Sequence, residues 1–264
     1  MASLEICVDS VASAVAAEAG GADRVELCSA LIEGGLTPSL GLIRTVRSRV
    51  NLGLHVLIRP RGGDFLYSEE ELTVMREDIL VAAQSGADGV VFGLLTADSD
   101  VDVERTRALV ALARPLQVTF HRAIDMARDV QDALERVIQT GADRVLTSGG
   151  ESTAMLGRSR LRELVRASRG RIQVMAGGGI HAENIAETAQ ITKATAFHAA
   201  LRRSVASPVR HTLREVHLGD PRVDDYKRTV VRSDDVRALR EALSEGLLRD
   251  PDVMGEPAFM ESIS

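Results

Sequence analysis

The residues of this chain best equipped for chemistry fall into one pattern used twice, Glu5-Ile6-Cys7 and Glu26-Leu27-Cys28. A polar residue on either side of one aliphatic residue gives a period of two, as on a strand with one apolar and one polar face. Set on adjacent strands about 4.8 Å apart, the two stretches present two carboxylates and, one step further along, two thiols. Paired soft thiolates favour Cu(I) or Zn, and two close cysteines can hold Cu(I) with few other ligands. On the same residues a second use is open: cysteine is among the most buried residue types and serves as a small core residue.

Two further groups point to acid–base and anion chemistry. Glu26 and His121 are candidate acid–base catalysts, should the protein be an enzyme, because each lies on a polar strand face or at its end. Gly177-Gly178-Gly179 opens a turn before a helix, where backbone amides and the positive helix end suit an anion. Arg59, Arg61, Arg122 and Arg202 fall at strand ends or just beyond and suit a carboxylate or phosphate. With His198, the candidate anion-binding set is therefore Arg59, Arg61, Arg122, Gly177, Gly178, Gly179 and His198, and the candidate metal ligands are Cys7 and Cys28.

The elements that carry these residues follow from a repeated phrase: Gly21-Ala22-Asp23, Gly86-Ala87-Asp88 and Gly141-Ala142-Asp143. Each follows a stretch of helical period and precedes a short apolar run, so the Gly reads as a helix-ending residue and the Asp as the turn into a strand. The intervals leave room for two strand–helix units each, which predicts a (β/α)8 TIM barrel, an α/β fold in a single domain. The barrel domain is expected over residues 1–248. Residues 201–235 form a long connection over the mouth, and 249–264, with two prolines and no periodicity, a loosely ordered tail. Ile6, Val8, Val25, Leu27, Val56, Ile58, Val118, Phe120, Ile172 and Val174 would face the helices. Their neighbours Glu5, Cys7, Glu26, Cys28, His55, Leu57, Arg59, Gln117, Thr119, His121, Gln173 and Met175 would face the barrel interior. An interior filled only for stability would be mostly Val, Ile and Leu. This polar one implies a functional mouth or an internal ion-pair network.

Composition limits the partners. A net charge of −6 and 3% aromatic residues disfavour nucleic acid, leaving few stacking platforms. No apolar run is long enough for a membrane span, and the first residues lead into a strand without a basic leader, which predicts a cytoplasmic protein with free thiols. All but two of the 32 basic residues are Arg. Neither Lys193 nor Lys227 projects from an expected strand end, which argues against Schiff-base chemistry.

Several segments together resemble the CutC family: Glu5-Ile6-Cys7 and Cys28, the 33–39 and 58–65 loops, Val118-Thr119-Phe120-His121-Arg122-Ala123, the 144–149 strand end and Gly177-Gly178-Gly179. The resemblance runs over about residues 4–248 and implies a cytosolic barrel that self-associates as a dimer or tetramer, implicated in copper homeostasis, with Cu(I) bound at Cys7 and Cys28. Ala200 stands where the family usually has Ser. The alternative function is an enzyme acting on a small anionic or phosphorylated metabolite.

Overall fold

A computed structural model describes residues 2–213, 215, 216 and 223–248; the tail expected over 249–264 lies outside the described residues. Eight parallel strands close in sequence order into one barrel. They are β1 (Ser3–Val8), β2 (Arg24–Leu27), β3 (Gly53–Leu57), β4 (Gly89–Phe92), β5 (Gln117–Phe120), β6 (Arg144–Thr147), β7 (Gln173–Gly177) and β8 (Ala196–Ala199). The helices α1 (Val11–Ala19), α2 (Leu40–Arg47), α3 (Glu69–Gln84), α4 (Val103–Ala113), α5 (Val130–Thr140), α6 (Arg158–Ser168) and α7 (Ala182–Thr192) alternate with them. The chain is thus a single-domain (β/α)8 barrel. Ser10, Ser39, Ser68, Asp102 and Asp129 cap their helices with side-chain oxygens, and Ser68 forms a full capping box with Glu71.

The repeated Gly-Ala-Asp does more than turn the chain. Gly21, Gly86 and Gly141 all have φ between +82° and +87°, which favours glycine. The Asp that follows then reaches sideways to the preceding strand of the barrel. Asp23 Oδ2 accepts from Leu4 N at 2.6 Å, Asp88 Oδ2 from Leu54 N at 2.8 Å and Asp143 Oδ2 from Val118 N at 2.7 Å. An arginine completes each unit: Arg240, Arg47 and Arg114 respectively. Three of the eight strand bottoms are therefore pinned by one local solution, because a buried strand-end amide needs an acceptor.

After β8 the chain does not remain a plain connection. β9 (Arg203–Ala206) and β10 (Lys227–Val230) pair antiparallel, with Lys227 opposite Ala206 and Val230 opposite Arg203. The hairpin leads into α8 (Ser233–Leu248), anchored by a bidentate Arg203–Asp235 pair and by the Val231 amide on Ser13 Oγ. α8 seals the helical ring between α1 and α7. Small residues allow this: a Cβ on Gly20 would lie 2.5 Å from Val236 Cβ, and one on Gly246 2.7 Å from the Ala186 backbone.

Strand alternation is as expected. The outward set, Ile6, Val8, Val25, Leu27, Val56, Ile58, Val118, Phe120, Ile172 and Val174, is buried in one core beneath the helices. The lower interior is polar. Arg24 Nε donates to Glu5 Oε2 at 2.6 Å, while Arg144 donates to Gln173, Thr119 and Gln117. Glu5 is 0% exposed, so its charge depends on these neighbours. Removing one partner alone should cost most. Arg24→Met is expected to lower stability by about 3 kcal/mol, and adding Glu5→Gln should recover a large part, both measured by urea unfolding at fixed protein concentration.

Candidate functional site

The upper interior opens into a cavity of about 790 Å³ whose lining includes Cys7, Glu26, His198, His121, Arg59 and Arg122. The register that builds it differs from the level arrangement expected. Glu5 sits opposite Arg24, and Cys7 opposite Glu26, so the two Glu-x-Cys stretches are offset by one pair of residues. Strands in a closed barrel are staggered by its shear, and identical patterns on neighbours therefore need not stand side by side. One consequence is that Glu26 lies beside the Cys7 thiol. Another is that Cys28 lies one step higher, beyond the end of β2.

The two sulfurs are nevertheless 3.6 Å apart. Both face the lumen, packing with Leu57 and Val91 apart from the main core. Their access differs: Cys7 lines the cavity, whereas Cys28 is 0% exposed, covered by Gly35 and directed at the Val8 carbonyl. Contact with Cys28 and burial both push the Cys7 thiol well above its usual range. It is a neutral thiol at neutral pH.

His198 comes from β8, opposite Glu5 on β1. Its Nδ1 lies 2.8 Å from Glu5 Oε1, which leaves Nε2 toward Glu26 at 3.9 Å. Burial works against the charged imidazole, but Glu26, Cys7 and Glu5 together raise its pKa well above the ordinary value. Burial would likewise raise Glu5; the bond to His198 and the charge of Arg24 instead hold it well below the usual carboxylate range. Glu26 is raised, chiefly by burial. The donor atoms of Cys7, Glu26 and His198 all lie within 4.8 Å of one another, a mixed sulfur, oxygen and nitrogen set able to hold a metal ion. Sequence alone grouped His198 with the anion-binding residues and Cys7 with Cys28; it did not pair His198 with Glu5, and it passed over Arg24. The signal for Arg24 was present, since it shares the alternation of Glu26 and Cys28.

The remaining candidates separate. His121 lines the cavity, with its Nδ1 accepting from the Ala123 amide at 3.2 Å. Arg59 is held by the carbonyls of Glu33, Gly35 and Gly63. Arg61 is outside the lining, bound to Glu71, Asp64 and three loop carbonyls. Arg122 pairs with Asp125 at 2.7 Å and reaches Ser148 Oγ, while its Nη1 packs over Gly178. Gly178 and Gly179, with φ of +101° and +68°, line the cavity, and Gly177 lies beneath them against Leu146 and His198. Lys193 caps the end of α7 at the opposite rim of the barrel, and Lys227 is exposed on β10 beside Asp224.

Comparison with known proteins settles what this architecture is related to. A model of the CutC family matches residues 2–203. The chain belongs to the CutC family. A family protein CutC of Chromobacterium violaceum is 51% identical over 242 residues, which cover 92% of this chain and 98% of that protein. The copper homeostasis protein cutC homolog of Homo sapiens is 46% identical over 246 residues, 93% of this chain and 90% of that one. Among solved structures, a copper homeostasis protein CutC from Streptococcus agalactiae superposes with a TM-score of 0.71 at 32% identity, over 75% of this chain and 98% of that chain. Phosphoribosyl anthranilate isomerase from Thermotoga maritima, 14% identical with a TM-score of 0.55 over 93% of this chain and all of its own, shares the fold alone. Ala200 lines the cavity. Among the described residues no helix is long and apolar enough to cross a membrane.

Two buried histidines, His121 in the cavity lining and His55 deeper on β3, give this CutC-family protein a pH signature. Burial depresses His55 to about 4, and burial together with Arg59 depresses His121 to about 3. In the unfolded chain both titrate near 6.5, so between about 6.5 and 4 the unfolded state binds more protons. The contribution of these two histidines is full above that window and falls as pH drops through it, by up to about 1.4 kcal/mol per unit for each, partly offset by Glu26 and, at the pH 7 end, by the raised His198. Chemical denaturation between pH 7 and 4.5 should show this slope, reduced by about half in His55→Leu or His121→Phe.

Proposed function

We propose that the protein binds Cu(I) through Cys7 and Cys28 and serves copper homeostasis. The observation that carries this reading is the pair of lumenal thiols 3.6 Å apart, one of which, Cys7, lines an open cavity. Soft thiolates suit Cu(I), and a separation of that order lets one ion contact both sulfurs. The names of the human and mouse relatives support the same role.

Each group around the thiols has a part in such binding. Cys7, the only one of the two sulfurs on the cavity wall, meets the ion first, and Cys28 supplies the second contact from behind. The negative charge of Glu26 that opposes a Cys7 thiolate favours a cation in the same place. Binding must displace the thiol proton, because the ligand is the thiolate. His198, fixed by Glu5, borders the site with a further nitrogen. A thiol pair of this kind needs a reducing compartment, which supports the cytosol. Self-association would cover the exposed Ile32, Met126 and Leu156 on the loops around the mouth.

Anaerobic Cu(I) titration against a chromophoric chelator tests the reading. Cys7→Ser should weaken binding roughly a hundredfold, about 2.7 kcal/mol, and Cys28→Ser should reduce the sulfur neighbours seen by X-ray absorption from two to one. Affinity should rise with pH, by up to about tenfold per unit for each thiol proton released. Unchanged binding in Cys28→Ser, with loss in Glu26→Gln, would move the ion to the Cys7, Glu26 and His198 set and refute the two-thiol site.

A further inference from the structure

We infer that the mouth cavity contains an anion-binding subsite built from Arg59 and His121, whose occupant is a small organic molecule bearing a carboxylate or phosphate group. The subsite uses neither thiol and stands apart from the copper reading.

Arg59 follows β3 and is 6% exposed. Its Nη1 donates to the carbonyls of Glu33 at 2.5 Å and Gly35 at 2.9 Å, and its Nη2 to Gly63 at 2.8 Å. Three neutral acceptors thus hold the guanidinium rigidly without balancing its charge. Among the described residues, no carboxylate forms an ion pair with it, and its Nε has no acceptor. The contrast with its neighbours is direct: Arg24 faces Glu5, Arg61 faces Glu71 and Asp64, and Arg122 faces Asp125. A buried, uncompensated cation is costly, and at Arg59, which lines the cavity, an anion can relieve that cost; Arg144, equally buried on neutral acceptors, lies outside the lining.

His121 supplies the second half. It is 7% exposed and lines the cavity. Because Nδ1 accepts from the Ala123 amide, the proton of the neutral ring belongs on Nε2, and Nε2 has no partner among the described residues. Burial and the nearby Arg59 charge keep the ring neutral, so it is a fixed N–H donor at physiological pH. Both groups stand on one aromatic wall: the Arg59 Cζ is 5.1 Å from the Phe65 ring centroid, and the His121 ring is 4.8 Å from it. A cation and an unsatisfied donor that line one cavity and pack on one aromatic ring suit an oxygen that carries negative charge. Water would satisfy Nε2 but leave Arg59 unbalanced. The space beyond is too large for a lone ion at about 790 Å³, the size of a metabolite pocket, with Leu31, Leu57 and Ile180 available to carbon.

The test uses the full-length, metal-free protein labelled with ¹⁵N-histidine. Inorganic phosphate and malonate are titrated in separate arms, which distinguishes a phosphate from a carboxylate preference. Saturable movement of the His121 ring resonances by at least one anion, with a rise in Tm, is the expected result. His121→Phe should weaken that binding about tenfold or more, and the Cys7→Ser/Cys28→Ser double variant should retain it. Arg59→Met removes a residue that ties three loop carbonyls and can fail to fold, so Arg59→Lys, which keeps the charge and loses the fork, serves beside it and should bind more weakly. No saturable shift at His121 with either anion, or a rise in Tm that is undiminished in His121→Phe, would overturn the proposal.

Discussion

The buried carboxylate of Glu5 is the constraint around which the lower and upper halves of the barrel are organised. Fully removed from water, it stays ionised only because Arg24 and His198 both reach it. That requirement orients His198, whose other nitrogen is then committed to Glu26 and Cys7. One desolvated charge in the middle of the barrel therefore fixes the side chains on the cavity floor. Without it, His198 would lose the partner that fixes its ring orientation and one of the three groups, with Glu26 and Cys7, that favour its cation.

Above this floor the interior changes character. Below, Arg24 and His198 meet Glu5 while Arg144 bonds the neutral side chains of Gln173, Thr119 and Gln117, so the polar atoms are largely satisfied by one another, as burial demands. At the mouth, Cys7 is covered only in part, and His121 Nε2 and Arg59 Nε have no acceptors among the described residues. His55 Nδ1 shows that an orphan atom also occurs deeper down, where it does not border the cavity. The residues that carry the unsatisfied atoms at the mouth, Arg59 and His121, line the open cavity. The fold separates the two levels by the height of the strands: residues near the strand starts stabilise, and those near the ends face the cavity.

The strand bottoms show how a local motif acquires a tertiary use. As a sequence, Gly-Ala-Asp predicts a helix end and a turn, and the positive φ of Gly21, Gly86 and Gly141 agrees. Each Asp, however, serves the neighbouring strand, accepting the amides of Leu4, Leu54 and Val118. That contact follows from consecutive strands pairing in parallel, which sets the start of one strand beside the turn into the next. The hairpin β9–β10 is a further case. Its strands are short and exposed, so residues 201–235 carry no alternation of apolar and polar residues by which sequence could mark them.

What the sequence determined by itself is whatever periodicity and local backbone chemistry encode: eight strand–helix units, the helix caps, the outward aliphatic layer, and the polar inward faces bearing Cys7, Glu26, Cys28, His121 and His198. What only tertiary structure decided is which inward residues meet. The shear of the barrel set Cys7 beside Glu26 rather than level with Cys28, and closure of β8 onto β1 brought His198 to Glu5 across nearly the whole chain. Arginine shows the same limit. Arg59, Arg61 and Arg122 read alike as cations at strand ends, yet Arg61 and Arg122 found carboxylates on their own loops and Arg59 found only carbonyls. Alternation fixes the face on which a side chain lies; the stagger between strands and the paths of the loops fix its partners, and neither is written in any one segment.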